Sequence, residues 1–283
     1  MNLGSKDFEI DSPYSLTTDQ MRFFRENGFV KLKNVLSEEI LGYYGEAITQ
    51  KVLALNPLKD VPMEQRTTYK KAFIQITNLW EKDEAVREFV FGQRLARIAA
   101  ELMGTRGVRL YHDQALYKEP SGGLTPWHAD QYYWPLATEK CCTAWIPLQA
   151  TPLEMGPVAF AAKSHHFESG RNLEISDESE QRIQATLDEQ KFENVEQPFE
   201  IGEVSFHYGW TFHRAGPNTT TNPRKVMTII YMDEEMRLSA PGNEHQKIDW
   251  EVFCPGINVG ELIDSPLNPV LYSADNTNDQ LKR

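Results

Sequence analysis

The sequence predicts a mainly β fold carried on a helical first third, arranged as a barrel or a two-sheet sandwich. Three observations carry that expectation. Up to Gly104 most segments place their apolar residues at helical spacing, and several end on a glycine. After Gly104 come "GVRLYHDQALYK", "CCTAWIPLQA", "GPVAFAA", "GEVSFHYGW" and "RKVMTIIYM", short aromatic or β-branched runs separated by Gly and Pro turns. At 283 residues, 40% of them hydrophobic, the chain is long enough to bury one sizeable core. We therefore expect one domain over 1–283, with a helical part to about 104, a β core over about 105–235 and a C-terminal extension over 236–283. Small ligands in such folds sit in a barrel mouth or between the sheets.

Thr17, with Gln20 three residues on, has the form of a capping box, so a helix is predicted over "TDQMRFFREN" until Gly28 stops it. Val30 and Leu32 alternate with Lys31 and Lys33, the period of a strand with one buried face. A second helix opens at Ser37, and "DEAVREFVFGQRLARIAAELM" reads as one continuous helix from about Asp83 to Met103. One polar segment, Asn172 to Gln197, interrupts the β runs that follow; it is acidic, partly helical in pattern and lacks a sustained apolar face. It is expected to be a surface insert or a lid. The tail "SADNTNDQLKR" is expected to fray.

Charge narrows the function classes. A formal net charge of -12 repels phosphate backbones and anionic lipid, which leaves a small molecule as the expected partner rather than nucleic acid or a membrane. No apolar run approaches the roughly 20 residues a bilayer span needs, and the first residues lack the apolar core of a signal peptide. Three cysteines, two of them the adjacent Cys141 and Cys142, are poor material for a disulfide framework. A cytoplasmic chain, monomeric or weakly self-associating, is the expectation.

The chemistry begins at "TPWHADQYYW", where His128 and Asp130 stand two residues apart among aromatic rings. On a strand, residues two apart point to one face, so imidazole and carboxylate would project side by side, as two metal ligands do. Taken alone, the same pair reads more readily as a histidine ion-paired to an aspartate at a strand end. A second polar cluster, "FHYGWTFHRAGPNTTTNPRKVMTIIYM", adds His213 and, eleven residues later, Arg224. Two histidines and one carboxylate on one face of a metal leave positions open, the arrangement of non-haem Fe(II) oxygenases. His207, six residues before His213, competes for the ligand role and reads as a site-lining or packed histidine. Trp127, Tyr132, Tyr133 and Trp134 would wall water away from such a centre, or simply pack the sheet.

H-x-D, a distant His and an Arg beyond it, with "GEVSFHYGWTFHRAGPNTT", "MGPVAFAAKSHH" and the opening "FFRENGFVKLKNVLS", resemble the phytanoyl-CoA dioxygenase family of Fe(II)/2-oxoglutarate oxygenases. The resemblance covers most of the chain. It implies a double-stranded β-helix, the cupin-like jelly roll, buttressed by helices. It also implies that His128, Asp130 and His213 ligate iron at the catalytic centre. Arg224 would pair with the distal carboxylate of 2-oxoglutarate, for which a planar, bidentate guanidinium is well suited. Gln114 and Trp145 fall near family positions that contact this cosubstrate. Where the family often has a hydroxyl residue two places after the distal histidine this chain has Ala215, which puts a contact expected there in doubt. Fe(II), 2-oxoglutarate and O2 would then support hydroxylation of an unactivated C–H bond of a small metabolite, with release of succinate and CO2. Asp130 stands against a halogenase, since halogenating relatives replace that carboxylate with a small residue. Two other readings stay open: a non-redox metal-binding cupin-like isomerase or hydrolase, and a catalytically silent relative that binds a small molecule.

Overall fold

The first helix starts and stops where its sequence says. Thr17 Oγ1 accepts the Gln20 amide while the Gln20 side chain accepts the Thr17 N–H, closing the capping box of α1 (Thr18–Asn27). Gly28 ends it at φ +86, and a Cβ there would come within 2.5 Å of His165 Nδ1. These contacts belong to a computed structural model that describes residues 8–275. The last residues of the expected frayed tail, from Asn276 on, lie outside the described residues.

Next come β1 (Phe29–Leu32), α2 (Glu38–Leu55) capped by the Ser37 hydroxyl, α3 (Thr68–Ala72) and β2 (Ile74–Thr77). The stretch read as one helix from Asp83 to Met103 is two, α4 (Glu84–Val90) and α5 (Gln93–Met103). The break is at Gly92, and the cap of α5 comes from far away in sequence: the Asp11 carboxylate accepts the Gln93 amide at 2.8 Å and the Ile10 carbonyl accepts that of Arg94 at 3.0 Å. No local residue announces that cap, so hydrophobic period alone reads straight through it.

The strands are β3 (Gly107–Lys118), β4 (Thr125–His128), β5 (Cys141–Pro147) and β6 (Val158–Ala161). After α6 (Asp177–Glu189) follow β7 (Asn194–Glu196), β8 (Val204–Tyr208), β9 (His213–Ala215) and β10 (Arg224–Asp233). The chain closes with α7 (Glu244–Phe253) and β11 (Val270–Ser273). All pairings are antiparallel, in two sheets: β1-β8-β5-β10-β3-β11 with β2 also on β3, and β4-β9-β6-β7. This is the mainly β, jelly-roll fold that the sequence predicts, with helices packed on the outer face of the larger sheet.

Strand alternation decides what faces inward. Cys142, Ala144 and Ile146 of β5, Val204 and Phe206 of β8, and Met227, Ile229 and Tyr231 of β10 join the helical core with Phe24, Ile48, Phe89 and Leu95. Their alternates, Thr143, Trp145, His207, Arg224 and Thr228, line a cavity between the sheets. β3 changes parity at a bulge: Ile230 pairs with His112 and Tyr231 with Leu110, leaving Tyr111 as an extra residue. His112, Gln114 and Leu116 thereby face the cavity, while Leu110 joins the helical core.

The acidic insert is not a free loop. α6 buries a one-sided stripe of Ser179, Ile183 and Leu187, the last two in a cluster with Trp127 and Phe212. Glu180 Oε2 accepts the Trp127 amide and Gln184 Oε1 the Trp127 indole N–H, both at 2.8 Å. The stripe is narrow because two apolar residues one turn apart suffice when their polar neighbours also bond the same partner. Among the described residues no helix is long and apolar enough to cross a membrane.

Candidate metal centre

His128 ends β4 and His213 begins β9, and the two are direct cross-strand partners with ring centroids 4.1 Å apart. Asp130 does not continue the strand, as the two-apart spacing suggests; it opens a short 3-10 turn, Asp130–Tyr132, that swings its carboxylate back between the two rings. Oδ1 lies 3.5 Å from His128 Nε2 and 3.5 Å from His213 Nε2. One ligand atom from each of the three residues falls within 4.8 Å of the others.

The hydrogen bonds set the orientation of this cluster. His128 Nδ1 donates to the Pro126 carbonyl at 2.7 Å and His213 Nδ1 to that of Thr211 at 3.0 Å, so each ring turns its Nε2 toward Oδ1. Burial, helped by His213, pushes the His128 pKa down. Burial alone would raise the Asp130 carboxyl, but His213, His128 and His207 outweigh it and hold the group well below the usual carboxylate range. Two imidazole nitrogens and one carboxylate oxygen thus converge on one small space, the donor set a bound cation would need. The other carboxylate oxygen, Oδ2, is occupied: Thr143 Oγ1 donates to it at 2.9 Å and His207 Nε2 at 3.2 Å. His207 therefore meets the carboxylate from the side away from Oδ1.

Arg224, the first residue of β10, lies at the same cavity with 2% of its surface exposed. Its guanidinium sits 5.5 Å from the Trp145 ring centre, donates to the Gly156 carbonyl and leaves Nε without a partner. Burial pulls its pKa down to about 9, which still leaves it charged at neutral pH. Among the described residues no carboxylate pairs with it. Lys118, its cross-strand neighbour, is different, because Nζ donates to Gly123 O, Thr125 Oγ1 and Gly216 O. Arg214 is tied to Glu180 at 2.6 Å.

Gln114 and Trp145 both line the cavity, of about 540 Å³, together with the three candidate ligands and Arg224. Gln114 Oε1 accepts from Gln75, whose own Oε1 accepts the Tyr69 hydroxyl at 2.6 Å. Ala215 lines the wall as well, and the hydroxyls on the lining belong to Thr77, Thr125, Thr143, Thr228, Tyr69 and Tyr133. The sequence reading missed Thr143, Tyr69, Gln75, and the wall formed by His245, Asp249 and Phe253. That wall had one available signal, a spacing of four residues twice over on α7, which places all three on one helix face.

The family model described as Phytanoyl-CoA dioxygenase (PhyH) matches residues 24–226. A probable alpha-ketoglutarate-dependent hypophosphite dioxygenase from Stutzerimonas stutzeri is 24% identical over 226 residues, covering 75% of this chain and 77% of the relative. The 1-deoxypentalenic acid 11-beta-hydroxylase of Streptomyces exfoliatus is 26% identical over 222 residues, covering 71% and 75%. Among solved structures, the non-heme alpha ketoglutarate dependent carbocyclase SnoK from nogalamycin biosynthesis superposes with a TM-score of 0.74 at 25% identity, over 92% of this chain and all (100%) of that one.

Proposed function

This chain belongs to the phytanoyl-CoA dioxygenase family, and from that premise we propose that it is an Fe(II)- and 2-oxoglutarate-dependent oxygenase that hydroxylates an unactivated C–H bond of a small metabolite. The observation that carries the reading is the pairing, in one cavity, of the His128–Asp130–His213 cluster with a buried guanidinium, Arg224, that has no acid partner among the described residues. The donor set fits iron: two neutral imidazoles and one carboxylate leave coordination positions for a cosubstrate and O2. When bound, iron and 2-oxoglutarate supply the oxidising chemistry, with succinate and CO2 as products.

The protein's own residues then have defined roles. His128, Asp130 and His213 hold the metal through Nε2, Oδ1 and Nε2. Arg224 takes the distal carboxylate of 2-oxoglutarate with its planar fork, backed by Trp145, and Gln114 borders the same space. Thr143 and His207 are positioning residues, fixing the Asp130 plane so that Oδ1 points at the metal. Trp134, Tyr133 and Phe253 exclude water around the reacting carbon.

Anaerobic addition of Fe(II) and 2-oxoglutarate to the metal-free protein tests this reading, and a metal-to-ligand charge-transfer band that EDTA removes is the expected result. No band under saturating Fe(II) and cosubstrate would overturn it in favour of non-redox metal chemistry. Thr143→Val keeps the volume and deletes one hydrogen bond to Asp130. Metal affinity should fall about tenfold, at the lower end of what such outer partners contribute, and titration with Fe(II) or Co(II) reads it directly.

A further inference from the structure

The cavity that holds the candidate metal ligands is also lined by elements outside the two sheets' pairing: Tyr69 and Phe73 around α3, Ile175 of the insert, and His245, Asp249 and Phe253 of α7. Besides histidines, the basic side chains among the described lining residues are Arg224, which the proposed function assigns to the cosubstrate, and Arg214, which Glu180 already holds. The carboxylates besides Asp130 are Glu174 and Asp249. Glu174 is engaged by His245 Nε2 at 2.7 Å. Asp249 has no hydrogen bond or ion pair among the described residues, and burial alone acts on its carboxyl, pushing it up to about 7.

A half-buried carboxyl with no donor is costly unless something brought into the cavity supplies one. An anionic group there would meet like charge, so a phosphate, phosphonate or second carboxylate is disfavoured. A neutral hydroxyl would satisfy Asp249, but an ammonium does so with a charge-assisted bond roughly twice as strong. The rings of Tyr69, Tyr133 and Phe253, which share the lining with Asp249, add negative faces that favour a cation and flat apolar surface beside it. We propose that the substrate is an amine-bearing, largely apolar small molecule whose ammonium group binds Asp249, with its ring or chain lying between α3 and α7. This rests on the reading of the cavity as an oxygenase site.

Three probes of one shape and different charge test it: 1-naphthylmethylamine, 1-naphthalenemethanol and 1-naphthoate, titrated calorimetrically into the metal-free protein at neutral pH, with and without saturating 2-oxoglutarate. The ammonium should bind about tenfold or more tighter than the alcohol, the difference a charge-assisted bond supplies. Asp249→Asn should abolish that preference, and a thermal melt shows that the variant is folded. Glu174→Gln should retain the preference. An ammonium that binds no tighter than the alcohol, a preference that survives Asp249→Asn, or a naphthoate that binds tightest with 2-oxoglutarate present would each overturn the proposal. Because the titration needs no iron, a failed oxygenase reading shows separately, as the missing charge-transfer band.

Discussion

Asp130→Ala should eliminate turnover and metal binding together. The substitution removes the only anion from a set in which two neutral imidazoles remain, so charge compensation of a divalent cation disappears along with one ligand. Outer partners such as Thr143 are worth roughly ten- to hundredfold in metal affinity, and a direct ligand should exceed the upper end of that range. The fold should survive. Ala leaves the Thr143 hydroxyl and His207 Nε2 without their acceptor, a cost of about 1–3 kcal/mol, against a helical core that does not include these residues. Fe(II) titration and stimulated succinate formation measure the first effect and a thermal melt the second. Near-normal succinate formation by Asp130→Ala, His128→Ala and His213→Ala alike would refute the ligand assignment.

Arg224→Ala should raise the KM for 2-oxoglutarate on the order of a hundredfold, the loss of a charge-assisted, bidentate partner worth a few kcal/mol in a buried setting. Arg224→Lys should fall between, since an ammonium keeps the charge and loses the fork. The stability of the cosubstrate-free protein should hold or rise, because the variant deletes a buried cation that has no acid partner among the described residues. That divergence separates Arg224 from its neighbour. Lys118 Nζ already donates to three oxygens, so removing it should destabilise the fold. An unchanged KM for Arg224→Ala would move the anchor to Lys118 or Arg214. Steady-state kinetics in 2-oxoglutarate and a melt of each variant decide between them.

What the sequence disclosed follows from where each signal is stored. The α1 boundaries are written within four residues at one end and in a single glycine at the other, so they read directly. The β5, β8 and β10 runs alternate regularly, which is why Thr143, Trp145, His207 and Arg224 share an interior. Their spacing also brought His128, Asp130 and His213 forward as candidates, although the turn that aims Asp130 was not visible in it. The rest depends on contacts between residues distant in sequence. Asp11 capping α5 cannot be seen from within "DEAVREFVFGQRLARIAAELM". The extra residue at Tyr111 shifts the parity of β3 with no glycine or proline to mark it. The narrow stripe of α6 looks polar until Trp127 is placed against it.

The two kinds of wall around the cavity have unequal freedom to diverge. Residues on the sheet wall are fixed twice, by ladder partners on either side and by the helical core behind every alternate position. The wall made by α3, the start of the insert and α7 contributes side chains without carrying a ladder through the metal ligands. Exchanging those segments can therefore recast which molecule fits while the reacting centre stays in place. Transplanting α7 from a relative is thus a direct way to move one enzyme's preference onto another's frame.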